Sequence, residues 1–218
     1  MRKNVWMMLA LAIAATALLS GCAADPAADK PDAEVSEAQP EAAPAAEGVE
    51  IPFAEGSTIG WVGSKVTGSH EGGFNGFDGA VTLVNDDPTA SSVSVTIDID
   101  SMWSDDDNLT GHLKSEDFFD APNFPTATFN STAIEAAETG YSVTGNLNLH
   151  GVEKSITFPA EITVDNGHVM VAAEFSIKRF DFGIEYTGPS DNLIRDEVVI
   201  SLNLHAGAAA EATEEAAH

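Results

Sequence analysis

The 218-residue chain has one cysteine, two tyrosines and nine basic residues. A single thiol excludes an internal disulfide, so stability has to come from a packed core and a complete hydrogen-bond ladder. Nine Lys and Arg against 35 Asp and Glu give a formal net charge of −26. Such a surface repels nucleic acid and anionic lipid faces; beyond that the acidity reads as adaptation for solubility or a saline habitat. The longest uncharged apolar run, residues 5–19, is too short for a comfortable bilayer span. His70, His112, His150, His168 and His205 are dispersed, and His112 with Glu116 is one helical turn without a further ligand, so no metal and no cofactor are expected. Asp98, Asp100 and the run from Asp105 to Asn108 lack the glycine and terminal glutamate of a calcium loop. His112, Ser115 and Asp117 are hydrolase residue types, but one short helix cannot aim all three at a substrate, and no nucleophile turn accompanies them. The reading is a protein that is not an enzyme and has no catalytic residues.

What is present begins at the amino terminus. Arg2 and Lys3 precede the apolar run, and Leu19-Ser20-Gly21-Cys22 closes it, which reads as a signal peptide over residues 1–21. Those last four residues resemble the lipobox of bacterial lipoproteins. The resemblance implies lipid attachment at Cys22, cleavage just before it, and a lipid-anchored place in the bacterial cell envelope. Ala23 rather than aspartate follows Cys22, so an outer membrane, facing the periplasm, is expected if the host has two membranes. Residues 22–48 are mostly Ala, Pro, Asp and Glu with no aromatic side chain; they read as a disordered, extended tether. Residues 208–218 read as a solvated tail. One domain remains, over residues 49–207, large enough for a real core.

Within that domain the dominant period is two. It runs through Val93, Val95, Ile97 and Ile99, through Val143, Leu147 and Leu149, through Val169, Val171, Ala173, Phe175 and Ile177, and through Val198, Ile200, Leu202 and Leu204. With residues 59–66, 76–84, 126–134 and 155–164, the pattern predicts about eight strands separated by turn signals such as Asn85-Asp86-Asp87-Pro88 and Asp165-Asn166-Gly167. Many short strands without room for crossover helices argue an all-β fold, a single antiparallel barrel that leaves no exposed edge. One break interrupts it: Asp107 or Asn108 can cap a short helix, and Ser115 a second turn holding Phe118 and Phe119, before Pro122 and Pro125 stop it. A helical insert near residues 108–120 is therefore expected against the barrel mouth or inside it, as a lid or a plug.

The segment HLKSEDFFDAPNFPTATF, from His112 to Phe129, resembles the signature of the YceI-like family. GGFNGFDGAV from Gly72, GNLNLHGVEKSITFP from Gly145, FSIKRFDFGI from Phe175 and DEVVISLNLHA from Asp196 follow in the family's order. The resemblance covers the whole folded domain and implies a lipocalin-like barrel whose apolar lumen holds a long-chain amphiphile such as a polyisoprenoid. Two departures stand out: the acidic tether with its lipobox, and Phe180 where the family often has a small polar residue.

An eight-stranded barrel either fills its interior with side chains or leaves room for one narrow ligand. The candidate lumen set is Phe129, Leu147, Leu149, Phe158, Val171, Ala173, Phe175, Ile200 and Leu202, with small Ala173 and Gly145 making room. At the mouth, Phe118 and Phe119 are candidates for ligand contact. Arg179 and Arg195, among the few cations, are candidates for an anionic headgroup, though Arg179 fits a structural pairing with Asp181 or Asp196 better. The function expected is a membrane-tethered lipid-binding protein for transport, storage or protection, its partners being the lipid ligand and a membrane but no nucleic acid, with homodimerisation left open. The alternative is a non-catalytic surface or adaptor lipoprotein with a filled core.

Overall fold

The computed structural model describes residues 23–40, 48–190 and 192–207. Cys22, the signal peptide and the tail beyond residue 207 lie outside the described residues, and with them the lipid-attachment site. Twelve strands form one antiparallel sheet system: β1 (Glu34–Glu37), β2 (Val49–Pro52), β3 (Thr58–Lys65), β4 (Gly68–Phe74), β5 (Phe77–Val84), β6 (Asp87–Asp98), β7 (Met102–Ser104), β8 (Thr126–Ala136), β9 (Tyr141–Leu149), β10 (Val152–Asp165), β11 (His168–Lys178) and β12 (Glu197–Ala206). Among the described residues a single α-helix, α1 (Asp107–Leu113), interrupts them.

The excess over the expected eight has a simple origin. β2 pairs with β5 while β3 pairs with β4, and β5 pairs with β6 while β4 pairs with β7, so each of these three couples is one long ribbon broken by a kink. Counted as ribbons, and with β1 set aside, the twelve strands become eight. Each pairs with its sequence neighbour, and β12 returns to pair with β3 through Val199↔Val62 to Asn203↔Thr58. The kinks at residues 53–57, 75–76 and 99–101 are what the periodicity did not separate.

Tight turns set the register. Asn85 and Asp86 (φ 51° and 57°), His150 and Gly151 (54° and 74°), and Asn166 and Gly167 (50° and 77°) form two-residue loops with both residues left-handed, the geometry whose twist matches that of the flanking strands. Asn, Asp and Gly occupy five of these six places because they tolerate that region best. Alternation then sends one face inward: Phe129, Phe158, Phe175, Ile177 and Ile59 belong to one continuous core, while Ser201, Asn203 and Glu174 remain at the surface. Val81, Leu83, Val169 and Ala206 form a second, smaller core at the end carrying the turns at 85–86 and 166–167. Among the described residues no helix is long and apolar enough to cross a membrane.

The first described segment corrects the expectation of a free tether. β10 pairs with β9 from Val152 to Ala160 but with β11 only from Glu161 to Asp165, so the two strands part toward the other end of the barrel. Residues 31–37 fill the seam. β1 pairs antiparallel with Lys154–Thr157, and Asp32 bridges Ser176 in parallel fashion. The Ala33 N–H donates to Ser176 O at 2.8 Å and the Ser176 N–H to Pro31 O at 2.9 Å. Asn146 exchanges two bonds with the Gln39 backbone, at 2.9 and 2.7 Å, and Ala33 and Val35 pack on the core. Low hydrophobicity predicted disorder, yet the unpaired backbone of two diverging strands offers ladder bonds to any sequence that can lie extended. We refer to residues 23–40 as the strap; the fold includes it and is not confined to residues 49–207.

Candidate ligand-binding site

The insert is built locally. Asp106, one residue before the caps expected, accepts the Asn108 and Leu109 N–H groups at 2.8 and 3.0 Å and starts α1. These bonds hold its carboxyl below the usual carboxylate range. Ser115 does not cap a second helix; its hydroxyl donates to His112 O, and residues 116–124 continue as turns. Phe118 is buried and Phe119 half-buried against the main core. The insert thus lies on the end of the barrel away from the smaller core, where β3, β9 and β11 finish.

Arg179 secures that end. It is 5 % exposed, and its guanidinium donates to three backbone carbonyls, Arg195 O at 3.0 Å, Ile184 O at 2.7 Å and Ile194 O at 3.3 Å. It pairs with neither Asp181 nor Asp196; Asp196 instead accepts the Phe180 N–H at 2.9 Å. Burial pushes the guanidinium below its ordinary value, and the Asp196 charge opposes that shift. The Phe180 ring lies 4.5 Å from the guanidinium carbon, so this departure from the family pattern covers Arg179 with a cation–π contact. Arg195 donates to Ser64 Oγ, Lys65 O and Ala23 O, and its Nε lies 3.2 Å from Asp25. Both arginines therefore staple backbone segments together.

Inside the barrel is a cavity of about 490 Å³, within the range of small-molecule sites. Its wall includes Phe129, Leu147, Leu149, Phe158, Val171, Phe175, Ile200 and Leu202 from the expected lumen set, and Phe118, Phe119, Arg179 and Arg195 from the expected mouth. Ala173 is the exception: it shares the inward face and opposes Leu202, but its lone methyl packs in the core without reaching the wall. Phe158 stacks on Phe175 with centroids 4.1 Å apart and planes 13° apart, and Phe129 lies 5.8 Å from Phe158. Gly145 does make room, but for Phe129: a Cβ there would come within 2.4 Å of the ring.

Sequence reasoning missed Trp61, Tyr186 and Leu109, all in the wall. Trp61 was findable, since it follows Ile59 at period two on β3. Tyr186 was not, because it sits in the irregular stretch after residue 183, where its ring meets His112 and Phe118 at 5.1 and 5.0 Å. The charged and imidazole wall residues Lys65, His70, His112, Arg179 and Arg195 gather at the insert end, Ser91 and Ser92 lie toward the 85–86 turn, and the rest of the wall is almost wholly apolar. Such a space has the dimensions and lining to accept a long apolar group. The hydrolase-type residues do not assemble: His112 Nε2 bonds Asp117 at 2.9 Å, while the Ser115 hydroxyl points to a backbone carbonyl. Among the described residues no three His, Cys, Asp or Glu side chains converge on a metal position.

The model of the YceI-like domain matches residues 53–206. The chain belongs to the YceI-like family. Among curated relatives, UPF0312 proteins of Yersinia enterocolitica and Yersinia pestis are 39 % identical over 92 residues, which is 42 % of this chain and 48 % of theirs. The chain thus matches about half the length of those relatives. BcnA of Burkholderia cenocepacia superposes with a TM-score of 0.63 at 29 % identity, over 69 % of this chain and 96 % of that one. A polyisoprenoid-binding domain from Saccharophagus degradans shares the fold, with a TM-score of 0.60 at 19 % identity, over 74 % of this chain and 99 % of that one. The strap precedes the first residue of the family match, so the strand that fills the β10–β11 seam lies outside the YceI-like domain as matched.

Proposed function

We propose that this YceI-like barrel binds a long-chain, isoprenoid-like amphiphile in its lumen, and that binding rather than catalysis is its activity. The observation that carries the reading is the cavity of about 490 Å³ with its apolar body and polar rim. Each methylene transferred from water into such a wall contributes about 0.8 kcal/mol, so a prenyl chain gains affinity from length alone. The polyisoprenoid-binding domain of Saccharophagus degradans, of the same fold, supports the ligand class. A filled barrel acting as an adaptor has no use for such a space.

The same proposal includes a lipid anchor at Cys22 and a place in the cell envelope, with transport, storage or protection of the lipid as its role. The strap gives this reading a geometry. The Ala23 N–H donates to Val66 O at 3.3 Å, and Arg195, in the cavity wall, donates to Ala23 O. The residue after Cys22 is therefore held at the polar rim, so an acylated Cys22 sets that rim against the membrane, not at the end of a long tether.

The test is native mass spectrometry of the mature chain, strap included, purified without detergent and then extracted with organic solvent. One long-chain lipid per barrel is expected; an apo mass that persists after incubation with polyprenyl lipids overturns the carrier reading. Cys22→Ser should shift the protein from the membrane to the soluble fraction, and persistent membrane association overturns the anchor.

A further inference from the structure

The ladder between β10 and β11 ends at Glu161↔Ala172. Continued in the same register, it would set Phe158 against Phe175 and Thr157 against Ser176. The strap intervenes instead: Glu34 opposes Thr157 on β10, and Asp32 bridges Ser176 on β11. Two strand spacings of about 4.8 Å then separate the two backbones, and departure of the strap leaves a slit roughly 9–10 Å wide. On the cavity side a ring pair closes that slit. Phe158 and Phe175 both border the cavity and stack across the seam with centroids 4.1 Å apart. No described strap residue borders the cavity, and the strap's contribution to the main core is limited to Ala33 and Val35.

The contacts that hold the strap exchange readily for water. Lys30 pairs with Glu174 at 2.5 Å and Lys154 with Glu37 at 2.7 Å, one ion pair on each side of the seam. The Asp32 carboxylate accepts the Ser176 hydroxyl. The seam itself is edged by small polar side chains: Ser155 on β10, opposed by Ser36, and Ser176 on β11 are each 1 % exposed. Ser155 Oγ has no hydrogen-bond partner among the described residues. A hydroxyl buried without a partner is a standing cost that water removes once the strap leaves, so the seam is chemically suited to being wetted. A segment with few apolar contacts and many exchangeable bonds opens well before the rest of the fold.

We propose that the β10–β11 seam is a side portal of the cavity and residues 31–37 its gate: when the strap leaves, the Phe158 and Phe175 rings swing apart and the apolar chain of the ligand passes between the two strands. This rests on the lipid-binding reading above and specifies how that site is loaded and emptied. The seam widens toward the insert end, so a headgroup stays at the polar rim while the chain moves sideways, without being threaded lengthwise through the cover.

The experiment fastens the gate. In the mature chain carrying Cys22→Ser, which leaves no other thiol, Glu34→Cys with Thr157→Cys places two thiols at directly opposed positions of β1 and β10. The protein is loaded with radiolabelled geranylgeraniol under reducing conditions, half is oxidised, and transfer to phosphatidylcholine vesicles is timed. Oxidation is expected to slow transfer about tenfold or more, because the seam then opens only with wider unfolding, and reduction to restore it, with the amount bound unchanged. A second bridge, Asn148→Cys with Glu153→Cys in the β9–β10 pair at the same end, is expected to leave transfer as it was. Equal transfer with the bridge at positions 34 and 157 open or closed, or equal slowing by both bridges, overturns the gate while leaving lipid binding intact. Failure of geranylgeraniol to bind the reduced protein overturns the lipid-binding reading and this one with it. Should the first bridge not form, Lys30→Gln with Lys154→Gln removes the two ion pairs and is expected to speed transfer about fivefold; unchanged transfer overturns the gate.

Discussion

At one end of the barrel, strands are joined by the two-residue turns Asn85-Asp86 and Asn166-Gly167, and Val81, Leu83, Val169 and Ala206 form a small apolar core, the first three of them also bordering the cavity. At the other end the chain spends residues 99–125 and 179–196 on an insert and an irregular cover, staples them with Arg179 and Arg195, and lets β10 and β11 diverge until the strap fills the seam. The first end joins distant strands through a small apolar core, with Ser57 exchanging bonds with the His205 backbone at 3.2 and 3.0 Å. The second is made of polar contacts between segments far apart in sequence, and it is also where the cavity has its polar rim. On the proposed lipid-binding reading, a ligand would enter at the insert end, because hydrogen-bonded covers open more readily than a packed core.

Removing the strap should break this contrast most severely. A chain beginning at residue 48 loses the ladder bonds to β10 and Ser176, the paired bonds of Asn146 and the packing of Val35. At about 0.5 kcal/mol net per hydrogen bond, the low end for bonds near the surface, the loss is on the order of 3–5 kcal/mol. Denaturant unfolding reads the total, and hydrogen exchange reads its place: protection should fall along Lys154–Thr157 and around Ser176, while the β10–β11 pairs from Glu161 to Asp165 keep theirs. Unchanged stability and protection would make the strap a passive passenger.

The two ends also differ in how legible they were. The strands, the Asp165-Asn166-Gly167 turn and the eight lumen positions found in the cavity wall follow from alternation and turn chemistry, which act over a few residues. The strap was read as disordered because its composition offers little to bury; what orders it is the unpaired backbone of strands more than 100 residues away, which no local pattern announces. Arg179 was expected to face a carboxylate, since a buried charge usually finds one. It found three carbonyls instead, in a segment whose path depends on the whole insert end. Gly145 was expected to leave room for a ligand; the register Phe129↔Leu147 and Ser131↔Gly145 gives that room to the Phe129 ring instead.

A pair of glycine substitutions sharpens the comparison at smaller cost. At Gly145 a methyl would lie 2.4 Å from Phe129 Cζ and 2.6 Å from the Asn130 carbonyl, so Gly145→Ala should destabilise by about 1–3 kcal/mol through overpacking and, by driving the Phe129 ring into the cavity, lower lipid uptake. Gly167 at the turn end has φ +77° and nothing within 4 Å of a Cβ, so Gly167→Ala should cost about 1–2 kcal/mol in backbone strain alone and leave uptake untouched. Thermal unfolding alongside a lipid-binding titration separates the two. Equal effects on uptake would mean that Phe129 does not border the ligand.

The smallest effect is expected from acid, and it too should reach both ends differently. Asp106 holds the start of α1 through the Asn108 and Leu109 amides, and Asp87 at the opposite end accepts the Thr89 hydroxyl and amide at 2.8 and 2.9 Å; both carboxyls sit below their ordinary value because of these bonds. A carboxyl whose folded pKa is depressed contributes its full stabilisation above the unfolded value, about 3.9 for aspartate, and loses it as pH falls through the lower folded value. The caps should therefore hold down to about pH 4 and loosen below it. Loosening Asp87 frees only a turn, whereas loosening Asp106 releases the helix that carries Leu109 and Leu113 in the cavity wall. Lipid release should accordingly accelerate at low pH with Asp106 and not with Asp87. Asp106→Asn, which keeps the cap without the titration, is expected to abolish that acceleration, and Asp87→Asn to leave it as it was, in a fluorescence assay of lipid release between about pH 5 and 2.5.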